Sequence, residues 1–289
     1  MTDYQISVIE PPGYPHTGAL VELVNLVGNG LADLTGREPT VSVNSAAPGR
    51  RIVLFGAHLI SPENWAAARE GLPATEKIIV YNTEQVDRSV PWFGETYFSI
   101  LRDPRVIVWD YSTHNVAALA DLGVVARHVP IGYHRALTRI PARQLEDIDV
   151  LFYGSMNDRR AKVITQMGDA GVGVDAVFGV YGKDRDAMIA RSKIVLNMHY
   201  YETNIFEEVR VSYLLANRKF VLAEVNDLDD LPDPELLNGI YPSTYDDLAS
   251  SALDALSVDG EDRFRVACAG WQWIMDRPEV EILREATRA

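Results

Sequence analysis

Cysteine is almost missing: Cys268 stands alone among 289 residues, which excludes an internal disulfide and any cysteine-built metal site. No apolar run approaches the roughly 20 residues that a helix needs to cross a bilayer. Positive charge is scarce as well. Twenty-seven Lys and Arg face 41 Asp and Glu, for a formal net charge of −14, and such a surface repels nucleic-acid phosphates, so no nucleic-acid partner is expected. The six histidines lack H-E-x-x-H or comparable ligand spacing, and no G-x-G-x-x-G, P-loop or G-x-S-x-G signature occurs. Asp229–Asp230 and Asp246–Asp247 read as solvated faces. Metal, nicotinamide and serine-nucleophile chemistry are therefore outside the expectation. The opening residues, MTDYQISVIEPPG, have neither the basic start nor the cleavable apolar core of a secretory signal, so a cytoplasmic protein without a membrane segment is expected.

What is present is an alternation. In the first half, β-rich runs fall at 4–10, 40–44, 51–56, 77–82, 105–110 and 126–131. Between them lie helical patterns such as HTGALVELVNLVGNGLADLTG, NWAAARE and VAALADLG, the last capped by Ser112 or Thr113. A polar connector over 134–147 follows, and the alternation restarts with strands at 148–154, 174–179, 193–199 and 219–224 and helices between them. From YDDLASSALDALSV onward the chain reads as helical. Strands apolar on both faces and followed by helices predict parallel sheets covered on both sides. The expectation is α/β, with two Rossmann-like domains facing a cleft. Residues 1–133 would form the first domain and 134–289 the second, with the terminal helices free to pack back on the first.

Ligands of parallel sheets bind beyond the carboxyl ends of the strands, so the loops there carry the candidates. The segment LNMHYYETNIFEEVR runs from a strand end through a polar loop into a helix start, where unpaired N–H groups and the helix dipole suit a diphosphate. At 100° per residue Glu208 and Ser212 share one edge, and Arg210 lies on the other. Glu208 is expected to accept hydrogen bonds from sugar or ribose hydroxyls, with Glu207 capping the helix and Arg210 paired nearby. In DVLFYGSMNDRRAKV, Gly154 allows close backbone approach, Ser155 follows it, and Arg159, Arg160 and Lys162 offer phosphate-binding cations. In the first half, His16 stands in VIEPPGYPHTG, and histidine, titrating near neutrality, is the residue type suited to a general base. His58, Glu84, Tyr111 and His114 follow three further strands, with Gln85 and Asp110 beside them, and mix aromatic and polar groups suited to a hydroxyl-rich acceptor.

The strand, the acidic loop, the buried helix and the turn into ANRKFVLAE together resemble the donor-binding segment of the GT-B nucleotide-sugar glycosyltransferases. Where the retaining families of that fold carry two glutamates, this chain has Asn204 and Ser212. The Phe206–Glu207 pair is closer to a divergent branch that resembles spore-coat glycosyltransferase-like proteins. The resemblance implies a metal-independent glycosyltransferase that needs no cofactor. Its partners would be a nucleotide-diphosphate sugar as donor and an acceptor hydroxyl, with Gly154, Ser155, Arg159, Arg160, Lys162, Asn204, Glu207, Glu208, Arg210 and Ser212 on the donor side. The alternatives are a non-catalytic nucleotide- or sugar-binding protein of that fold, or a sugar-nucleotide epimerase or hydrolase.

Overall fold

A computed structural model of the chain describes residues 3–87, 93–141, 145–201 and 205–288. The chain divides into two compact units, Met1–Ile131 joined by Glu279–Ala289, and Gly132–Pro278. Among the described residues no helix is long and apolar enough to cross a membrane.

The first unit holds strands β1 (Tyr4–Val8), β2 (Thr40–Val43), β3 (Arg51–Phe55), β4 (Ile78–Asn82), β5 (Val106–Asp110) and β6 (Ala126–His128). They form one sheet in the order β2-β1-β3-β4-β5-β6, every pair parallel. All five residues of β1 and of β4 are buried, as a strand covered on both faces requires. The edge strand β2 leaves Val41 and Val43 exposed. Helices α1 (Val21–Thr35), α2 (Pro62–Gly71), α3 (Glu95–Leu101) and α4 (Thr113–Asp121) fill the crossovers. Local chemistry sets their starts: the side chain of Ser61 accepts from Asn64 N ahead of Pro62, and that of Ser112 accepts from Asn115 N.

The second unit holds β7 (Ile148–Tyr153), α5 (Asp158–Asp169), β8 (Val174–Val177), α6 (Gly182–Arg191), β9 (Ser192–Asn197), α7 (Glu208–Ala216), β10 (Val221–Glu224), β11 (Tyr241–Ser243), α8 (Leu248–Ser257) and α9 (Gly260–Met275). Its parallel sheet runs β11-β10-β9-β7-β8. Val163 and Met167 of α5 and Ala252 and Ala255 of α8 pack with Val150, Phe152, Ile194, Leu196 and Leu222 of the sheet into one core. The break in the apolar run at Asn-Arg-Lys is a buried hub. The Asn217 side chain accepts from Arg139 N and Ile140 N at 2.8 Å and donates to Leu137 O at 2.9 Å, so it fixes the connector that follows β6.

The last helix, α10 (Glu279–Thr287), belongs to the first unit and lies on α1. Gly30 makes that approach feasible, because a Cβ there would stand 2.7 Å from both Glu279 Cγ and Leu283 Cδ1. The two ends of the second unit meet: Tyr133 pairs with Pro278 in a parallel bridge, and Tyr133 N donates to Arg277 O at 2.8 Å.

Candidate functional site

In the second unit the sheet order reverses between β7 and β9, and a crevice at such a reversal is where parallel sheets bind ligands. The strands end there at Tyr153–Gly154 and at Asn197–Met198–His199. Gly154 has φ +149°, and a Cβ on it would lie 3.2 Å from Arg210 Nη2 and 3.4 Å from Arg160 Nη1. Glycine thus lets two guanidinium groups press against the end of β7.

Arg160 is 2% exposed and its donors are aimed by the surrounding backbone. Nη1 donates to Ser155 O at 2.9 Å, Nη2 to Met198 O at 2.7 Å and to Glu207 Oε1 at 2.8 Å, and Nε to His199 O at 3.3 Å. Burial lowers its pKa to about 10; Glu207 opposes the fall and the Arg210 charge adds to it, so it remains a cation at neutral pH. Arg210 Nη1 meets Glu207 Oε2 at 2.7 Å and donates to Asn197 Oδ1 at 3.2 Å. One carboxylate therefore serves two guanidiniums. Glu207 occupies the N-cap position of α7, and its side chain makes no capping bond. It is the shared counter-ion instead.

The three cations that the sequence places together have different surroundings. Arg159 lies along the Glu224 carboxylate, with Nη1 at 2.8 Å from Oε2 and Nη2 paired to Oε1, and its guanidinium covers the Tyr245 ring at 3.8 Å. Glu224 is fully buried and also accepts from His199 N at 2.9 Å and Asn226 Nδ2 at 2.7 Å. Burial works to raise its pKa, but Arg159, His199 and Asn226 prevail and hold it below the usual value. Arg159 thereby clips the loop after β9 to the end of β10. Lys162 stands over the outer side of Tyr245, 5.8 Å from its centroid. Glu208 and Ser212, placed on one edge by the helical period, are both buried, at 3% and 4% exposure. Asn204 lies outside the described residues. Three buried polar atoms of this region, Asn197 Nδ2, His199 Nε2 and Ser212 Oγ, have no hydrogen-bond partner among the described residues.

In the first unit the sheet reverses between β1 and β3. His16 opens a 3₁₀ turn after β1 and stands edge-on to Tyr14, centroids 5.3 Å apart. His58, just past β3, is brought to Glu84: Nε2 lies 3.6 Å from Oε1. Burial lowers the His58 pKa, and the Glu84 charge, acting the other way, does not cancel it. Tyr111 is buried and His114 is exposed on the first turn of α4.

Behind Glu84 lies a polar network that ties Asp110, read from the sequence beside the acceptor-side residues, to Asn82 and Asn115, which the sequence reading did not include. Asn82 Nδ2 and Asn115 Nδ2 both donate to Glu84 O, at 2.8 and 3.0 Å, and Glu84 N donates to Asn82 Oδ1 at 3.1 Å. Asp110, with no exposure, accepts from Asn82 Nδ2 at 2.6 Å, Ser112 N at 2.8 Å and Asn115 Nδ2 at 3.1 Å. Burial pushes Asp110 up to about 7 against the pull of those three bonds. The signal was polar residues at the last positions of two otherwise apolar strands, Asn82 and Asp110. Their partner Asn115 sits in a helix and gave no such sign.

No protein-family profile matches the chain. It is 28% identical over 187 residues to the uncharacterised protein L140 of Acanthamoeba polyphaga mimivirus, covering 62% of this chain and 59% of that protein. It is 27% identical over 135 residues to protein L138 of the same virus, covering 45% and 15%. The chain thus spans less than two thirds of the length of these relatives. Among solved structures it is similar to Anabaena Alr3699/HepE in complex with UDP and glucose, with a TM-score of 0.62, 12% identity and 98% of both chains covered. It is similar also to AviGT4, a glycosyltransferase involved in avilamycin A biosynthesis, with a TM-score of 0.52, 15% identity and 98% and 95% covered. The DNA-modifying enzyme β-glucosyltransferase follows at 0.50, 12%, 98% and 94%. At such identities the likeness is one of fold. The chain has the GT-B glycosyltransferase fold that the strand–loop–helix resemblance implied.

Proposed function

From a GT-B fold with two guanidiniums packed at the sheet reversal of its second unit, we propose a glycosyltransferase that moves a sugar from a nucleotide-diphosphate donor to a hydroxyl-bearing acceptor. The observation that carries the reading is Arg160 and Arg210 sharing the single carboxylate of Glu207 beside Gly154. That arrangement leaves one positive charge in surplus, as a leaving diphosphate requires. Asn197 Nδ2 and Ser212 Oγ, buried without partners among the described residues, are suited to hydroxyls or phosphate oxygens of the donor, because a buried polar atom costs about 1–3 kcal/mol until it is satisfied. HepE was solved with UDP and glucose, which supports a uridine nucleotide as the first donor to try.

In the proposed step the acceptor oxygen attacks the anomeric carbon and the bond from that carbon to the diphosphate oxygen breaks. The hydroxyl proton passes to a basic side chain, and nucleoside diphosphate leaves with the electron pair. His58 suits that base, since burial keeps its imidazole neutral and Glu84 stands ready to stabilise the imidazolium. His16 is assigned to contact with the acceptor. Arginine supplies the charge that a metal ion supplies elsewhere, so the transfer is proposed to be metal-independent. Asn204 and Ser212, standing where retaining relatives of the fold carry glutamates, favour a second reading as a binder without turnover.

Calorimetric titration with UDP and UDP-glucose tests the site. Arg210→Ala is expected to weaken UDP by about 1.5–3 kcal/mol, the range for charge-assisted bonds, and unchanged affinity would remove Arg210 from the site. Release of UDP from UDP-glucose in the presence of candidate acceptors and EDTA then separates transferase from binder.

A further inference from the structure

The second unit has a separate cavity of about 200 Å³ at the opposite end of its sheet. Ser192 and Lys193 at the start of β9 line it, as do Lys219 and Phe220 just before β10. A six-residue strand separates this end from the Arg160–Arg210 site by roughly 20 Å. In a chain of net charge −14, the lining gathers Lys193, Arg218, Lys219 and Arg263 against Glu146 and Glu261.

Lys219 is the unusual member. It is 2% exposed, and its Nζ spends one of three donors on Pro141 O at 2.7 Å. Burial lowers its pKa while Glu146 opposes the fall, and among the described residues no carboxylate comes within ion-pair distance of it. A buried ammonium with no carboxylate in contact is costly unless something else compensates it. Arg218 adjoins it in a left-handed backbone conformation, φ +52°, with its guanidinium 3.7 Å over the Trp271 ring. Arg263 Nη1 caps carbonyls at the end of α8, and its buried Nε has no partner among the described residues. Lys193 is already neutralised by Asp149 at 2.6 Å. Phe220, Phe264 and Ala267 supply an apolar wall.

We propose that this cavity is a second anion site, built for a phosphomonoester with a body of a few carbons: Lys219, Arg218 and Arg263 meet the phosphoryl group and the two phenylalanines meet the carbons. The volume is below the roughly 300 Å³ at which pockets for larger organic ligands begin, which favours a small ligand over a nucleotide. The site stands apart from the proposed donor site and does not depend on it.

The test is calorimetric titration of the whole chain with inorganic phosphate and with glycerol phosphate, each with and without saturating UDP. Both anions are expected to bind at millimolar concentration or below whether or not UDP is present, with glycerol phosphate the tighter. Lys219→Met, nearly the same shape without the charge, and Arg218→Asn, a residue that tolerates positive φ, should each weaken them about tenfold or more and leave UDP affinity unchanged. Three results overturn the proposal: no phosphate binding at millimolar concentration, phosphate binding abolished by UDP, or phosphate affinity unmoved in both folded variants.

Discussion

Single residues in this protein are held by partners far along the chain. Arg159 reaches Glu224, 65 positions away, and Glu224 in turn gathers donors from His199 and Asn226. Removing one member of such a buried pair strands the other, at a cost of about 3–5 kcal/mol. Glu224→Gln is expected to lower stability to urea by that order, and a loss under 1 kcal/mol would mean that the pair is solvated in practice. Asp110 offers a pH readout. Its folded pKa, about 7, lies above the ordinary 3.8, so the folded protein holds a proton that the unfolded chain has released. The stability from this group is complete below the unfolded pKa and is lost as pH rises through about 7, some 4 kcal/mol in all. Unfolding free energies measured between pH 4 and 8 should fall with that slope in the parent and flatten in Asp110→Asn. A parent profile without the slope over this window would place Asp110 as an ordinary carboxylate.

At the scale of elements, much was legible. Runs such as RIVLFG and KIIVYN are apolar on both faces, and they became β3 and β4 because only a covered parallel strand buries both sides. β11 was not legible. It is three residues long with Pro242 in the middle, and a residue lacking an N–H reads as a break until an edge position lets that missing donor face outward. The start of α7 shows the other limit. Helical period placed Glu208 and Ser212 on one edge, and both are buried. It said nothing of the 47-residue reach from Arg160 to Glu207 that turns an N-cap residue into a counter-ion. Local pattern specifies an element and the face it buries; a charge finds its partner only once the sheet is assembled. Helix packing gives its own prediction. Gly30→Ala drives a Cβ to 2.7 Å from Glu279 Cγ and Leu283 Cδ1, and separating α1 from α10 should cost about 1–3 kcal/mol. Thermal melts of that variant beside Gly28→Ala, whose nearest neighbour is a flexible Ile6 Cδ1 at 3.5 Å, isolate the effect.

At the scale of the molecule, the pairing of Tyr133 with Pro278 has a consequence for how the chain is partitioned. The first unit is discontinuous, begun by residues before 132 and completed by α10, whereas the second is continuous and its two ends touch. In topological terms the second unit is an insertion, closed at its own neck, and such modules fold by themselves and tolerate relocation of their termini. Residues 132–278 produced alone should give a cooperative melt and show the UDP affinity proposed for the whole chain. Residues 3–131 produced without α10 should melt lower than the same residues rejoined to 279–288 through a short glycine-serine bridge. If instead the excised 132–278 segment unfolds without a transition, the neck is no closure and the second unit borrows its order from the rest. If it holds, the segment can be cut out, stitched end to end and reopened at another surface turn, and the proposed donor site will travel with it.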